Sequence, residues 1–312
     1  MNDMKQIFTA LAVAAFFLAP LDNSFAKKKG TGASSDAGGH IKTALELVDQ
    51  RQFEPAIAEF TKALEASPDN AYAIYQNRGA MYLAVGKYAE AADDYSKALE
   101  QKSDDPRSYL GRGQANLYLG KWDDAIADLS KAIELKPEDV EAYGFRGFAY
   151  AKQNDWSKAL EDYDKYLAAK PTDQVALERR AEANRNQQKL PEAISDYTKA
   201  IEQDTSKKWT LYKGRAYTYH LMKDYAKAAA DYQKAYEMNP KDSDAQRRAA
   251  AEQALLAPPP TPTSVATPEP TPEPKSVFTP LNLGIAGGIL LLLIIIIVVV
   301  MKKKGRPDYL GS

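Results

Sequence analysis

Residues 75–98 read YQNRGAMYLAVGKYAEAADDYSKA, and this stretch decides the fold. Ala91, Tyr95 and Ala98 follow one another at spacings of four and three, so they share one stripe of a helix with 3.6 residues per turn. Upstream, Gly79 marks the middle of another helix, where the missing side chain lets a neighbour approach closely. Tyr88 follows the turn between the two. The stretch is a helical hairpin.

The pattern recurs. Ala56-Phe60-Ala63, Ala125-Leu129-Ala132, Ala159-Tyr163-Tyr166, Ala193-Tyr197-Ala200 and Ala228-Tyr232-Ala235 repeat the triplet, with successive units 35, 34, 34, 34 and 35 residues apart. Such regularity is the signature of a repeat array. Ala44, Gly113, Gly147, Ala181 and Ala216 take the small position, and Phe53, Trp122, Trp156, Leu190 and Tyr225 the large apolar one after the turn. The second helices end near Pro68, Ser103, Pro137, Pro171, Thr205 and Pro240, four of them prolines, which cannot continue a helix interior.

On these columns the chain resembles the tetratricopeptide repeat family over residues 40–240, in six units at about 40–68, 71–103, 106–137, 140–171, 174–205 and 208–240. It departs from the family pattern where Asn116 and Asn184 replace a tyrosine of the first helix and Tyr166 replaces an alanine. The resemblance implies an all-α fold, a right-handed superhelical solenoid of six helix-turn-helix hairpins whose first helices line a concave groove that holds a protein or peptide. Some family members clamp the carboxylate terminus of chaperones with a fixed set of lysines, asparagines and an arginine. Here Ile41, Leu45 and Asn77 occupy the corresponding surface of the first two units, which disfavours that role.

A second pair of columns is visible without the family. Arg78, Arg112, Arg146, Arg180 and Arg215 recur on the first helices, and Asp94, Asp128, Asp162, Asp196 and Asp231 follow, each 16 residues later. Repetition in register predicts a ladder of ion pairs, within a unit or between neighbours, with bidentate guanidinium geometry available. The matching number of aspartates argues against an anion-binding stripe.

Residues flanking the small column sketch the groove. In the amino-terminal half they are Gln76, Ala80, Leu83, Leu110, Gln114, Leu117 and Tyr118, an apolar and amide-bearing surface. In the carboxy-terminal half they are Phe148, Lys152, Glu182, Arg185, Asn186, Lys213, Tyr217 and His220. Aromatics interleaved with cations suit an extended peptide with apolar and acidic side chains. The alternative is that Phe148 and Tyr217 pack between adjacent units.

The two ends carry a topology. Ile7 to Leu18 is a short apolar run preceded by Lys5 and followed by Ser24-Phe25-Ala26, a small-x-small cleavage pattern, so residues 1–26 read as a signal peptide. Residues 27–39, rich in Lys, Gly and Ser, read as a disordered entry segment. Residues 241–256 read as a capping helix, which repeat arrays need to cover the apolar face of the last hairpin. Residues 257–280 hold nine prolines and five threonines and read as an extended stalk.

Residues 281–301 form an apolar run of 21 residues, long enough for a single transmembrane helix. Lys302, Lys303, Lys304 and Arg306 then place the 302–312 tail in the cytoplasm by the positive-inside rule. The sequence thus predicts a single-pass protein of a bacterial inner membrane, with its repeats periplasmic or extracellular. Lys27, Lys28 and Lys29 pull the other way, since positive charge directly after an apolar run hinders its transfer.

Composition narrows the function. Forty-one basic residues balance 42 acidic ones, and no basic block lies within the repeats, so no nucleic-acid partner is expected. The chain has no cysteine, and its two histidines, His40 and His220, lie at opposite ends of the array, which excludes a histidine metal site or a histidine-based triad. Acidic neighbours such as Asp93-Asp94 point about 100 degrees apart on a helix and do not face one another. With no phosphate-binding loop either, the sequence predicts a non-enzymatic protein without metal or cofactor. It reads as a membrane-anchored scaffold or adaptor that binds a protein or extended peptide. The alternative is a self-associating spacer or homo-oligomer of the envelope, helped by Gly284-x-x-x-Gly288 in the apolar run.

Overall fold

The computed structural model describes residues 34–66, 71–204, 206 and 208–256. These form thirteen helices: α1 (Ser34–Asp49), α2 (Phe53–Ala66), α3 (Ala71–Ala84), α4 (Tyr88–Gln101), α5 (Pro106–Tyr118), α6 (Trp122–Leu135), α7 (Val140–Lys152), α8 (Trp156–Ala169), α9 (Gln174–Asn186), α10 (Leu190–Glu202), α11 (Trp209–Leu221), α12 (Tyr225–Met238) and α13 (Ser243–Leu256). The expected signal peptide, most of the entry segment, the stalk, the transmembrane run and the tail lie outside the described residues. No helix among the described residues is long and apolar enough to cross a membrane.

Local chemistry sets the boundaries. Asp105 and Asp173 cap α5 and α9, their carboxylates accepting from the backbone N–H of Ser108 at 2.7 Å and of Ala176 at 2.9 Å. Pro106 starts α5, where its missing N–H costs nothing. The turn inside every hairpin needs one residue with positive φ. Gly86 and Gly120 supply it without strain at +78° and +74°, while Arg51, Asn154, Gln188 and Lys223 occupy the same conformation in the other units.

Each odd-numbered helix packs against the next even one as a hairpin, and each hairpin packs on its neighbour, down to α13 on α12. Successive first helices also meet one another, α3 with α5, α5 with α7, α7 with α9 and α9 with α11, whereas successive second helices approach less. The first helices therefore form the inner side of the stack. The predicted small-large-small stripes are the core: Ala56, Phe60, Ala63, Ala91, Tyr95, Ala98, Tyr163, Tyr197 and Tyr232 are all buried. No single cluster holds the array together. Local clusters follow one another along it, as in a one-dimensional stack where each repeat depends on its neighbours.

The Arg–Asp ladder forms within each unit. Arg78, Arg112, Arg146, Arg180 and Arg215 each donate through Nε and Nη2 to both carboxylate oxygens of Asp94, Asp128, Asp162, Asp196 and Asp231, at 2.7–3.0 Å. The remaining nitrogen, Nη1, reaches back to the second helix of the preceding unit, to Thr61, Ser96, Ser130, Asp164 and Thr198 in turn. One guanidinium thus fastens three helices of two repeats. In the first unit, where threonine stands in the arginine column, the equivalent carboxylate of Glu59 meets His40 Nδ1 at 2.6 Å.

The departures from the family pattern are compensated. Asn116 and Asn184 donate to the ladder carboxylates of Asp128 and Asp196 at 3.1 and 3.2 Å. Tyr166 fits because Gly144 faces it: a Cβ there would lie 2.9 Å from the Tyr166 ring. Its hydroxyl donates to Asp173 at 2.9 Å.

Candidate functional site: the inner face of the first helices

Most of the expected groove residues already have partners on this inner face. Gln76 donates to Asp105 at 2.7 Å, and Lys213 lies 2.9 Å from Asp242 and 3.2 Å from Asp244. Glu178, one position equivalent to these, pairs with Lys208 at 3.4 Å. All three contacts run from a first helix to the entry of the next one. In these three contacts the donors Gln76 and Lys213 face an aspartate at the entry, and Glu178 faces Lys208. Burial pushes the Glu178 carboxyl up, and Lys208 pulls against it.

The apolar candidates divide. Gln114 and Phe148 are covered, at 2% and 6% exposure, with Gln114 Oε1 buried and without a hydrogen-bond partner. Phe148 packs edge-on against Trp122, with Arg179 over its ring at 4.6 Å and Lys152 at 5.2 Å. Tyr118 stacks on Tyr88 at 4.4 Å between centroids. Tyr217, by contrast, is 40% exposed and nearly parallel to the His220 ring at 6.3 Å.

Between Phe148 and Tyr217 lies α9. Arg185 donates to the Tyr197 hydroxyl at 2.8 Å and holds its guanidinium 5.3 Å from the Tyr217 ring centroid. Asn186 turns back onto the Glu182 carbonyl at 2.8 Å. Glu182 is half-buried and its carboxylate makes no hydrogen bond or ion pair among the described residues. Burial pushes the Tyr197 hydroxyl well up, with Arg185 pulling against it, so the phenol stays neutral beside that cation. Arg179 was not among the expected groove residues. Its place on the first helix, one residue before the ladder Arg180, gave no sign that it would stack across onto α7.

The closing helix α13 docks through an apolar contact of Ala249 with Ala216 and Tyr232 and through polar contacts at its two ends. Its buried residues are Ala245, Ala249 and Glu252. Lys213 holds its start, and His220 Nδ1 lies 2.8 Å from Glu252 Oε1. Burial pushes the Asp242 carboxyl up, but Lys213 and the backbone N–H groups of Ala245 and Asp244 together hold it below the usual aspartate value. Asp244 is likewise held down by Lys213 and, against some burial, by Arg248. A lowered folded-state value contributes stability that is full above the ordinary aspartate value and is lost as pH falls through the lower one. Protection of the α13 amides, measured by hydrogen exchange and corrected for intrinsic rate, is therefore expected to report the loss of these two carboxylate contacts in acid. It should fall relative to α7 and α8 below about pH 4.

Residues 79–119, 110–174 and 209–242 match three models of the tetratricopeptide repeat. Over these residues the repeats are similar to tetratricopeptide repeats. The solenoid resembles a tetratricopeptide repeat protein from Parabacteroides merdae, with a TM-score of 0.56 at 25% identity over 70% of this chain and 91% of that one. It also shares its fold with pilF of Pseudomonas aeruginosa, at TM-score 0.59 and 17% identity over 71% of this chain and 100% of that one. YrrB, described as a tetratricopeptide repeat protein with an unusual peptide-binding site, superposes with TM-score 0.54 at 23% identity over 63% of this chain and 98% of its own. In sequence, 73 residues are 33% identical to DnaJ homolog subfamily C member 3 of Bos taurus, covering 23% of this chain. The match spans 14% of that relative's length. Tetratricopeptide repeats mediate protein–protein interaction.

Proposed function

We propose that the array is the binding domain of a membrane-anchored adaptor, holding an extended protein segment against the inner face of α7, α9 and α11 outside the cytoplasm. Tyr217 carries this reading. Among the described residues the other exposed large hydrophobics lie in turns or at the last two positions of α13, while Tyr217 projects from the inner face of a first helix. An exposed, rigid aromatic backed by a second ring is the kind of group that anchors an interface. The apolar run at residues 281–301 supplies the anchor and the proline-rich residues 257–280 the spacer. Tethering raises the local concentration of the groove, so a weak grip suffices. The adaptor performs no chemistry of its own.

The test is a pull-down with the detergent-solubilised full chain against envelope extract, comparing the native protein with Tyr217→Ala. Loss of an aromatic anchor costs about 2 kcal/mol or more, roughly thirtyfold in affinity. Partners that are retained by the native chain and depleted by the substitution, with an unchanged thermal melt, support the groove. An identical partner set from both proteins sinks it. For topology, protease added to intact spheroplasts is expected to digest the repeats and spare the 302–312 tail, and the reverse pattern overturns the orientation.

A further inference from the structure

Two arginines on α9 stand apart from the rest. The five ladder arginines are each neutralised by an aspartate, and Arg247 and Arg248 both reach Asp244. Arg51 and Arg107 are exposed to water. Among the described arginines Arg179 and Arg185 remain, both partly covered, and neither has a described carboxylate within ion-pair distance.

Aromatic rings hold them instead. Arg179 lies 4.6 Å over Phe148 of α7, and Arg185 lies 5.3 Å from Tyr217 of α11. A stacked guanidinium is fixed in orientation through its face while its edge N–H groups stay available for a planar acceptor. Arg185 spends one of them on the Tyr197 hydroxyl. A partly desolvated cation without an anion carries a solvation cost that a carboxylate would recover.

The carboxylates in the neighbourhood are accounted for. Glu178 is paired with Lys208 on the next helix entry, and Glu252 faces His220. Glu182 is the exception. It lies three residues after Arg179 and three before Arg185, so it shares the α9 surface with both, yet its carboxylate is bonded to neither. It is a carboxylate of the chain itself placed beside two unpaired guanidinium groups.

We infer that Arg179 and Arg185 are the specificity-determining residues of the groove and select an extended protein segment with acidic side chains, against which Glu182 competes. This rests on the inner-face binding proposed above and names what that face selects. An arriving carboxylate takes the edge donors of the guanidinium, the Phe148 and Tyr217 rings keep the guanidinium planes in place, and Glu182 lowers the gain by its own negative charge.

The test uses the full chain in detergent and two pools of synthetic twelve-residue peptides, identical except that one carries Glu wherever the other carries Gln. At low salt the native chain is expected to retain the Glu pool about tenfold better. Arg179→Gln with Arg185→Gln should remove the preference. Glu182→Gln should strengthen it by severalfold, and because that side chain bonds nothing in the fold, this variant stays informative if the double arginine variant does not fold. Equal retention of both pools, abolished by Tyr217→Ala, overturns the acidic selection and leaves the groove intact. Retention of neither pool counts against both. A preference that survives the double arginine substitution in a folded protein, or that Glu182→Gln leaves unchanged, also overturns the assignment.

Discussion

Gly111→Ala is expected to destabilise the array by about 3 kcal/mol, near the upper end of what overpacking usually costs. Gly111 sits on α5 where the ring of Tyr95, from the second helix of the preceding repeat, crosses the backbone. A Cβ there would lie 2.2 Å from Tyr95 Cζ and 2.5 Å from Cε2. The ring cannot swing away, because Tyr95 is only 2% exposed and is packed among Leu83, Ala91 and Ala115. The helices must part, and the α4–α5 contact that joins two repeats is the contact that parts. Urea unfolding followed by circular dichroism is the measurement. Tyr95→Leu in the same chain should recover part of the loss, since the two substitutions touch and will not add. Gly38→Ala is the control, because a Cβ at that exposed helical position meets nothing within 4 Å and should stabilise by up to about 1 kcal/mol. A Gly111→Ala protein as stable as the parent would mean that the close crossing is not there.

Asp162→Ala is expected to cost about 3–5 kcal/mol, the range for removing one partner of a buried ion pair. Asp162 is 2% exposed and accepts two hydrogen bonds from Arg146, at 2.8 Å each. Without the carboxylate, the Arg146 guanidinium keeps a single bond, through Nη1 to Ser130 of the preceding repeat at 3.0 Å. The loss is asymmetric. Arg146→Met combined with Asp162→Leu removes both charges and should cost less than Asp162→Ala alone, which a double-mutant cycle by urea unfolding would show. Since every repeat leans on its neighbours, the lesion in the fourth unit should also lower amide protection in α5 and α9 more than in α1 and α12. Equal loss along the whole array would point to all-or-none unfolding instead.

The ladder shows why part of this molecule is legible in its amino-acid sequence. Its two columns have constant chemistry and constant spacing, so each pair is specified inside one unit and the repetition averages out noise. The third leg, to Thr61, Ser96, Ser130, Asp164 and Thr198, recurs at nearly the same period and carries the same kind of signal. It is harder to see because hydroxyls and one carboxylate share a role without sharing a residue type. The links between a first helix and the next helix entry are further from view. Gln76–Asp105, Glu178–Lys208 and Lys213–Asp242 keep their geometry while exchanging donor for acceptor, so no column of like residues marks them.

The candidate groove is legible in the sequence only as a set of positions. Gln76 and Lys213 are spent on neighbouring helices, and Phe148 and Gln114 are covered, while Tyr217 stays open and Arg179 joins the site unannounced. Whether a side chain on the inner face is free or taken depends on what stands opposite it one repeat along.

Taken alone, the amino-acid order determined the period, the hairpins, the buried stripes, the ladder and the need for a closing helix, because all of these are set by spacing within about 35 residues. Only the tertiary structure decided which cations lack a counter-charge, which aromatics are left exposed, and how Tyr95 meets Gly111. Those depend on the packing of one repeat against the next, where partners come from segments whose register along the chain does not fix their distance in space.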